Sequence, residues 1–576
     1  MTGIGTKAGY AVRLALGGLV IGLCGTAAMP AQAQDAATAE PSAPAAPAGV
    51  EQAPAAGAAP QVVAPPKTFP IYAIDVVGVS VLPAALIEKT VYPFMGENKS
   101  PSDVEAARKA VQDAYAKAGY EAVVVEVPPQ PQEDFAAGLV RIAVGEAPIT
   151  KVAVTGAKHH SDKLVLQQMP SVQPGKPLNF KDLQRDIEAA NRFPDREVVP
   201  AFDAGDQPGT IAINLKVRDS LPLHASVELN NDHSPNTKPL RLTGSARYTN
   251  LWGVGHTISM GYSVAPQRRD DSEAYFGSYS LPFLGSQWTL LVSGYKSNSN
   301  IAALGGTNVL GNGYQVGAKA IWRVPTASDY HAFSIGFDYK DFKQKIALSG
   351  QQISTAPIRY VPLSVGYNFS AAHDKWSLDF GVNSTLGLRI MKRFGCFVLD
   401  GTNTCVPEDQ FTNRAADAQE NFAHLNVDAT LTAMLGHDWV SQVRFSGQYA
   451  DSPLVTNEQF ALGGLSNVRG YLQSEAVGDR GVNGSIELRA PSLATQLGSF
   501  VDEFRVYVFA DGGIVSGINP LPDTQGVYRI ASVGGGLRLK VFKHFSGDLL
   551  VALPLVGTSD TRANDPRFTF SVKGEF

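Results

Sequence analysis

From residue 222 to residue 576, apolar and polar side chains alternate in segments of about ten residues. In the last segment, for example, Phe568, Phe570 and Val572 alternate with Thr569 and Ser571. Because successive side chains of a β-strand point to opposite faces, each segment is predicted to be a strand with one apolar and one polar face. A soluble β-sandwich would give the same local alternation, so the connections between the strands must decide between a sandwich and a barrel.

The connections alternate between long and short. Sixteen strands are predicted, and they begin near Leu223, Leu240, His256, Glu273, Gln287, Gly313, His331, Ile358, Trp376, Asn421, Trp439, Val482, Glu503, Arg529, Lys543 and Arg567. The long connections are residues 231–238, 297–311, 342–356, 389–419 and 451–481, and the short ones are 251–255, 282–286, 371–374, 436–438 and the turn at Phe542. An even strand number with tight turns at one end and long loops at the other is typical of an outer-membrane barrel, which has to close because lipid offers no partner to a free strand edge.

Before the predicted barrel, a strand–helix–helix–strand–strand pattern occurs twice. In the first copy the second helix runs from Pro101 to Lys117, and the strands lie at 72–76, 121–127 and 138–144. In the second copy the helices lie at 162–169 and 179–191, and the strands at 149–154, 197–202 and 210–217. A repeat of roughly 75 to 80 residues predicts two similar α+β domains in tandem, at residues 69–147 and 148–220.

The N-terminal 68 residues are predicted to lie outside both domains. An apolar run over residues 11–28 follows Lys7 and ends before Ala31-Gln32-Ala33, so residues 1–33 are predicted to be a secretory signal peptide. Residues 34–68 are rich in alanine and proline. Because proline removes helix donors, this segment is expected to be a linker without a stable plug helix.

Charge and composition exclude several classes of function. The 48 basic and 53 acidic residues give a net charge of −5, which argues against nucleic acid as a partner. The sequence offers no Ser/His/Asp set, no phosphate-cradling glycine loop and no metal-ligand spacing, so we expect neither an enzyme nor a bound nucleotide, metal or other cofactor. His159 and His160 lack a third ligand nearby in the sequence and are expected to form a solvated turn.

Two cysteines, Cys396 and Cys405, flank an Asp-Gly turn in the long connection 389–419. In an exported protein a close pair of this kind indicates a disulfide hairpin, whereas a metal site would need a further His or Cys nearby. We therefore expect a disulfide between Cys396 and Cys405 in an outer loop.

The most distinctive stretch is the connection 451–481, whose centre reads Val468-Arg469-Gly470-Tyr471. Farther along the chain, a predicted strand carries Phe509, Asp511 and Gly513 on its inward face, so an acid is available to pair with the arginine of the loop. The alternative is an ordinary glycine-rich surface loop between two strands.

These two motifs resemble the VRGY loop and the F-x-D-x-G motif of the two-partner-secretion transporters. These proteins include the haemolysin activators of the ShlB/FhaC/HecB type. They form the TpsB branch of the outer-membrane assembly-factor superfamily. In that family the loop folds back into the barrel lumen, and its arginine pairs with the aspartate on the barrel wall. The resemblance implies that Arg469 pairs with Asp511, with Phe509 and Gly513 on the wall beside it.

The tandem domains resemble the POTRA domains of the same family. The matching positions are Gly78, Tyr115, Gly119, Tyr120, Pro129, Gln130, Gly138, Gly145 and Glu146 in the first copy and Pro177, Leu178, Asn179, Asn191, Pro208 and Gly209 in the second. The resemblance implies periplasmic domains that bind an extended client along a strand edge and a helix groove. The residues expected to contact the client are Tyr120, Val123, Val125, Phe180 and Leu183. The alternative is that the two domains serve only as spacers.

The predicted fold is thus a pair of α+β POTRA domains followed by an all-β, sixteen-stranded transmembrane barrel over residues 221–576. The resemblance implies an outer-membrane protein of a Gram-negative bacterium that passes an unfolded TpsA-type exoprotein through its barrel without ATP. An insertase of outer-membrane proteins and a general porin are the alternatives. Besides the client, the implied partners are outer-membrane lipid and the barrel-assembly machinery, which would recognise a signal ending at Phe576.

Overall fold

The structure is a computed structural model, and the described residues form two compact units, one ending at Ser220 and the other beginning at Leu221. The described residues are 68–191, 195–283, 285–298, 301–304, 307–310, 312–324, 326, 329–348, 351–391, 394–398, 405–412, 414–520 and 525–576. The predicted signal peptide and, apart from Thr68, the predicted linker lie outside them. None of the helices in these ranges has the length and apolarity of a membrane-spanning helix.

The first domain contains a three-stranded sheet in the order β2-β5-β4, with β2 parallel and β4 antiparallel to the central β5. Its elements are β1 (Phe69–Ile71), β2 (Ala73–Val77), α1 (Ala84–Val91), a 3-10 turn (Tyr92–Phe94), β3 (Gly96–Lys99), α2 (Pro101–Ala118), β4 (Val124–Glu126), α3 (Gln132–Ala136) and β5 (Leu139–Gly145). Helix α2 begins at a capping box formed by Ser100 and Asp103. Its buried face, Val104, Ala107, Val111 and Tyr115, has helical spacing and packs in the core of the domain.

The second domain repeats this arrangement with the sheet order β6-β8-β7, in which β6 is parallel and β7 antiparallel to β8. Its elements are β6 (Ile149–Thr155), α4 (Asp162–Gln167), α5 (Phe180–Ala190), β7 (Arg196–Ala204) and β8 (Ile211–Asp219). Both domains therefore place the last strand of the motif at the centre of the sheet and leave the other two strands at its edges.

A carboxylate at the end of each central strand fastens the loop that follows the first strand of the same sheet. In the first domain, Glu146 accepts hydrogen bonds from the Ser80 hydroxyl, from the backbone nitrogens of Ser80 (2.7 Å) and Val81 (3.1 Å), and from the Tyr115 hydroxyl (2.7 Å). Burial alone would raise the pKa of Glu146, but these hydrogen bonds to the ionised form outweigh burial and lower it.

Asp219 does the same in the second domain. It accepts hydrogen bonds from the backbone nitrogens of Lys158 (3.0 Å), His159 (2.7 Å) and His160 (3.0 Å). Burial would raise the pKa of Asp219, and the hydrogen bonds again lower it. The expected solvated turn at the two histidines is wrong for His160, which is buried with its Nδ1 3.3 Å from Asp219. The described residues contain no cluster of side chains that could hold a metal ion.

The two domains are joined end to end through α2 and α5. The Gly119 carbonyl accepts a hydrogen bond from the Phe180 nitrogen (2.8 Å), and the Asn179 side chain donates to the Ala118 carbonyl (3.0 Å) while it accepts from the Lys181 nitrogen (3.0 Å). The carbonyl groups at the end of α2 thereby accept hydrogen bonds from the start of α5, one from its first backbone N–H and one from the side chain of its N-cap residue. Gly119 has φ +99°, and a Cβ there would lie 2.4 Å from the Asn179 amide oxygen, so this joint requires glycine.

From Leu223 onward the structure is almost entirely β. The strands are β9 (Leu223–Asn230), β10 (Arg241–Leu251), β11 (His256–Val264), β12 (Glu273–Pro282), β13 (Trp288–Ser297), β14 (Ile301–Leu304), β15 (Thr307–Leu310), β16 (Asn312–Val324), β17 (Tyr330–Leu348), β18 (Gln351–His373), β19 (Trp376–Leu388), β20 (Phe394–Val398), β21 (Cys405–Asp409), β22 (Ala423–Gly436), β23 (Trp439–Ala450), β24 (Phe460–Leu462), β25 (Ala476–Gly478), β26 (Arg480–Arg489), β27 (Val501–Ser516), β28 (Val527–Val541), β29 (Phe545–Pro554) and β30 (Arg567–Glu575). Short helical turns lie at Arg269–Asp271, Thr456–Glu458 and α6 (Ala494–Leu497).

The predicted barrel is confirmed. Sixteen antiparallel strands close in the order β9, β10, β11, β12, β13, β16, β17, β18, β19, β22, β23, β26, β27, β28, β29 and β30. The closing seam between β30 and β9 runs from Ser571 opposite Asn230 to Glu575 opposite Ser226. Beyond it, the Asn231 side chain continues the ladder, since its oxygen accepts from the Phe570 nitrogen at 2.8 Å.

The alternation of side chains follows the wall of the barrel. On β17, Phe333, Ile335 and Phe337 are exposed on the outer face, whereas Ser334 and Asp338 are buried on the inner one. A closed sheet in lipid needs such an apolar outer face, and its inner face is free to carry polar and charged groups.

The long connections hold more β-structure than the sequence predicts. The predicted loop 342–356 is wrong, because β17 and β18 continue past the barrel as a paired ribbon as far as Leu348 opposite Gln351. Strand pairing there satisfies the backbone groups of both segments, which an open loop would leave to water. The pairs β14–β15, β20–β21 and β24–β25 form hairpins within three other long connections. The side chains of Cys396 and Cys405 lie outside the described residues, so their disulfide stays a prediction.

Candidate functional site

The connection 451–481 folds into the barrel as a hairpin, called the lumen hairpin below. Strands β24 and β25 form its two limbs, with Phe460 opposite Gly478 and Leu462 opposite Ala476, and residues 463–475 form its tip. Val468 and Tyr471 at the tip are buried completely or almost completely. The tip therefore lies inside the molecule and not on its outer surface, which contradicts the reading of this stretch as a surface loop.

Arg469 is the centre of the tip, and its side chain is 4% exposed. The guanidinium donates from Nε to Asp511 Oδ2 (2.7 Å) and from Nη2 to Asp511 Oδ1 (2.8 Å), which is a bidentate ion pair. The backbone nitrogen of Arg469 donates to the same carboxylate at 3.0 Å. The structure thus brings together the two residues that the motifs single out.

Strand β27 of the barrel wall makes further contacts with this ion pair. The guanidinium carbon of Arg469 lies 3.6 Å from the centre of the Phe509 ring, in a cation–π contact that adds to the ion pair. Phe509 and Asp511 point inward, as strand parity predicts. Gly513 continues this row, and a Cβ there would come within 2.8 Å of the Leu462 side chain, so the absence of a side chain leaves room for the limb of the hairpin.

A second carboxylate, Glu487 on β26, also binds the arginine and belongs to neither of the two sequence motifs. Its Oε2 accepts from Arg469 Nη1 at 2.5 Å, and the neighbouring Ser485 hydroxyl lies 3.1 Å from Nη2. Glu487 is shared with Arg489 (2.7 Å) and Arg538 (3.6 Å). The signal in the sequence is the parity of β26, on which Ser485, Glu487 and Arg489 alternate with apolar residues.

Gly470 and Tyr471 fix the tip against the next two strands of the wall. Gly470 has φ +94°, and a Cβ there would lie 3.0 Å from the Ala552 side chain, so a larger residue would be strained and crowded. The Tyr471 hydroxyl lies 2.8 Å from the carbonyl oxygens of both Ala531 and Val556. Each residue of the Val468–Tyr471 motif is thus buried or held by a contact with the barrel.

Further contacts attach the hairpin to the loops at the outer end of the barrel. Asp232 accepts a hydrogen bond from the Leu465 nitrogen at 3.2 Å, and the His233 carbonyl accepts one from the Gln473 nitrogen at 2.9 Å. Glu475 accepts from the Thr561 hydroxyl at 2.7 Å. The lumen hairpin is therefore held on several sides, and the barrel interior is obstructed in this state.

The residues predicted to contact a client are placed differently. Val123, Val125 and Leu183 are buried in the cores of their domains, so this part of the prediction is wrong. Tyr120 and Phe180 are half-buried and pack against the same cores. The physical reason at β4 is strand parity, because the residues on either side of the exposed Val124 face the core, whereas Leu183 lies on the buried face of helix α5.

Exposed apolar residues occur at other positions of these two sheets. Val124 on β4 is 54% exposed, and Phe202 on β7 is 45% exposed. Both lie on edge strands, since β4 pairs only with β5 and β7 only with β8 in the part of the chain that the structure describes. Val124 and Phe202 are available to an extended partner, whereas the buried Val123, Val125 and Leu183 are not.

Comparison with known proteins matches both halves of the chain. The model of the family "Haemolysin secretion/activation protein ShlB/FhaC/HecB" matches residues 209–539, and that of the ShlB-type POTRA domain matches residues 69–147. The outer membrane transporter CdiB of Dickeya dadantii is 23% identical over 61% of this chain and 60% of its own length, which is less than two thirds. CdiB of Escherichia coli is 22% identical over 85% of this chain and 79% of its own. The heme/hemopexin transporter protein HuxB of Haemophilus influenzae is 21% identical over 67% and 66%.

Solved structures show the same fold. CdiB from Escherichia coli superposes with a TM-score of 0.62 at 19% identity, over 90% of this chain and 93% of that one. CdiB from Acinetobacter baumannii gives 0.56 at 15% identity, over 92% and 95%. With the family model spanning more than half of its residues, the chain belongs to the ShlB/FhaC/HecB family of haemolysin secretion/activation proteins, the TpsB transporters of the outer membrane.

Proposed function

We propose that this chain recognises an unfolded, secreted exoprotein in the periplasm through its POTRA domains and passes it across the outer membrane through its barrel. Membership of the TpsB family supports this function. The observation that carries it is the lumen hairpin, which Arg469, Asp511 and Glu487 lock into the interior. A hairpin locked in this way keeps the interior obstructed until the lock is released, which suits a barrel that opens for a client.

The first step proposed is capture of the client by strand addition. An extended chain that pairs with an edge strand gains backbone hydrogen bonds and presents alternate side chains to the surface beside it. Strands β4 and β7 offer such edges, and Val124 and Phe202 supply exposed apolar contacts next to them. We therefore propose these two residues, in place of the buried ones, as client contacts.

The second step proposed is withdrawal of the lumen hairpin, followed by passage of the client. The chain is proposed to act without catalysis, cofactor or nucleotide, because its sequence carries no motif for any of them. Folding of the client outside the cell then makes the passage irreversible. This places the energy source in the client and not in the transporter.

The test is transport into liposomes that contain the purified full-length chain. A urea-unfolded fragment of a TpsA-type exoprotein from the same organism is added outside in nucleotide-free buffer, and protection from protease is measured. Protection with the intact chain, and not with empty liposomes, supports the proposal. Protection that requires ATP, or none at all with a correctly inserted barrel, would contradict it. A changed level of other outer-membrane barrels after depletion in cells would favour the insertase instead.

Topology is tested separately by cysteine labelling of whole cells. A cysteine at Asn308, in the β14–β15 hairpin, should react with a membrane-impermeant reagent, whereas one at Lys163, in the second domain, should react only after the outer membrane is opened. Labelling in the opposite pattern would reverse the assigned orientation.

A further inference from the structure

A second buried charge cluster holds the lumen hairpin, and Arg469 is not part of it. Glu458 ends the helical turn directly before β24, and its side chain is 5% exposed. Its Oε1 accepts from Lys340 Nζ at 2.6 Å and from the Tyr360 hydroxyl. Its Oε2 lies 3.3 Å from His424 Nε2. One carboxylate of the hairpin is thus bound by three side chains of the wall.

The surroundings of this cluster are apolar, so water cannot replace the three partners. Tyr360 belongs to a buried cluster in which the rings of Phe411 and Phe422 pack against its ring, together with Leu454 and Val455 from the segment that leads into the hairpin. An ionised carboxylate in such a site is stable only while it is paired and hydrogen-bonded. The position of Glu458 is therefore coupled to its contacts with the wall.

The partners of Glu458 come from a different sector of the barrel than those of Arg469. Lys340, Tyr360 and His424 lie on β17, β18 and β22, whereas the acids that bind Arg469 lie on β26 and β27. Strand β23 separates the two sectors in the barrel order. The two anchors therefore share none of these side chains, and one can be broken while the other stays intact.

The base of the hairpin is closed between the limbs by Gln448 of β23. Its side-chain nitrogen lies 2.9 Å from the Glu458 carbonyl and 3.1 Å from the Asp479 carbonyl, so it donates to both limbs. Asp479 accepts from the Gln459 side chain at 2.9 Å and from the Ile518 nitrogen at 2.7 Å. The limb that carries Glu458 is in this way tied to the limb that returns from the tip.

We propose that Glu458 is a positioning residue for transport, the second of two independent anchors that keep the lumen hairpin inside the barrel. Arg469 holds the tip and Glu458 holds the descending limb. The hairpin leaves the lumen only when both ion pairs are broken. The role of that release in secretion rests on the proposed function, but the anchoring itself is a property of the barrel alone.

The test measures the opening of the barrel without any client. The full-length protein is inserted in planar lipid bilayers, and the fraction of time in a high-conductance state is compared for wild type, Glu458→Gln, Arg469→Ala and the double variant. Glu458→Gln keeps the size of the side chain and removes its charge. We expect a rise of about tenfold for this variant and a further rise in the double variant, since independent anchors contribute separately.

Glu273→Gln is the matched control. Glu273, the first residue of β12, is also 5% exposed and is bound by Arg269 and Tyr262, but it lies outside the lumen hairpin. It should leave the open fraction unchanged. A shift in gel mobility on heating shows that each barrel is folded, and Tyr360→Phe, which removes one hydroxyl only, replaces Glu458→Gln if that variant fails to fold.

An open fraction of Glu458→Gln equal to that of wild type would overturn the proposal, as would a double variant no more open than Arg469→Ala. A merely structural role would raise conductance equally in the Glu273→Gln control. Failure of the proposed function would give a different result. The wild-type protein would then transport no exoprotein, although the Glu458→Gln variant would still have a larger open fraction than wild type.

Discussion

Replacement of Asp511 by asparagine tests the lock on the hairpin tip most directly, because it keeps the size of the side chain and removes its charge. Among the described residues, Arg469 supplies all the hydrogen bonds to the Asp511 carboxylate, two from its guanidinium and one from its backbone nitrogen. An asparagine offers only one acceptor oxygen, so at least one of these bonds is lost. The buried guanidinium then keeps Glu487 as its acidic partner.

The free-energy cost of Asp511→Asn depends on the contacts that Arg469 keeps in the variant. Removing one partner of a buried, hydrogen-bonded charge pair costs about 2 to 5 kcal/mol, because the other charge is left buried and unpaired. Here the lower part of that range applies, since Glu487 still lies 2.5 Å from Arg469 and the stacking on Phe509 is unchanged. A loss of about 2 to 3.5 kcal/mol moves the equilibrium between held and released hairpin by roughly 30-fold to 300-fold.

The assay is the amount of exoprotein in the medium, measured beside the heat-dependent gel shift of the folded barrel. Arg469→Ala and Asp511→Asn should each reduce secretion at least tenfold with the barrel intact, because a hairpin that is released without a client no longer couples the opening of the barrel to capture of the client. The double variant should be scarcely worse than the worse single one, because both changes remove the same interaction. Asp438→Asn is the control: the Asp438 side chain is 53% exposed in its pair with Arg505, and such a surface pair contributes under about 1 kcal/mol.

Strictly additive defects would refute the reasoning, since they would show that the two residues act apart. Normal secretion by both single variants would refute it as well. Loss of the gel shift in either variant would mean that the pair is needed for folding and not for holding the hairpin.

Alkylation without reductant should add no mass at Cys396 and Cys405, because a disulfide protects both; two alkyl groups by intact-mass measurement would show free thiols. Deletion of residues 34–66 should leave single-channel conductance unchanged, since a proline-rich linker forms no plug, and a sharp rise would reveal one. Gly119→Ala should speed tryptic cleavage between the two POTRA domains several-fold in the full-length protein. Gly209→Ala has a similar positive φ but nothing within 4 Å of its new Cβ, so it should not, and equal rates would contradict the joint.

The barrel could be predicted because its signal is local. Alternation over one strand identifies that strand without knowledge of its neighbours, and the loop lengths then set the topology. The ribbon formed by β17 and β18 beyond the barrel could not be predicted in this way. Outside the membrane, apolar and polar side chains no longer have to alternate between lipid and lumen. The sequence therefore does not show where the barrel wall ends and the ribbon begins.

The candidate site, like the barrel, could be predicted from the sequence only in part. The pairing of Arg469 with Asp511 follows from strand parity and from the motifs that carry the resemblance. Glu487 and Glu458 escape such reasoning, because which inward acid meets the hairpin depends on closure and register of strands far apart in sequence. The error at Val123 and Val125 has a simpler cause, since a shift of one residue along β4 exchanges the exposed and the buried face.

The end-to-end joint of α2 and α5 makes recognition of a client depend on the distance between the two segments of the client that bind the domains. Domains on a flexible linker would accept binding motifs at many separations, because the linker adjusts its span. The fixed joint at Gly119 and Asn179 holds the two edge strands at one separation. An extended client advances by about 3.3 Å per residue, so a segment that contacts both domains needs its two motifs a set number of residues apart. Insertions between the motifs should then weaken capture as strongly as changes within them.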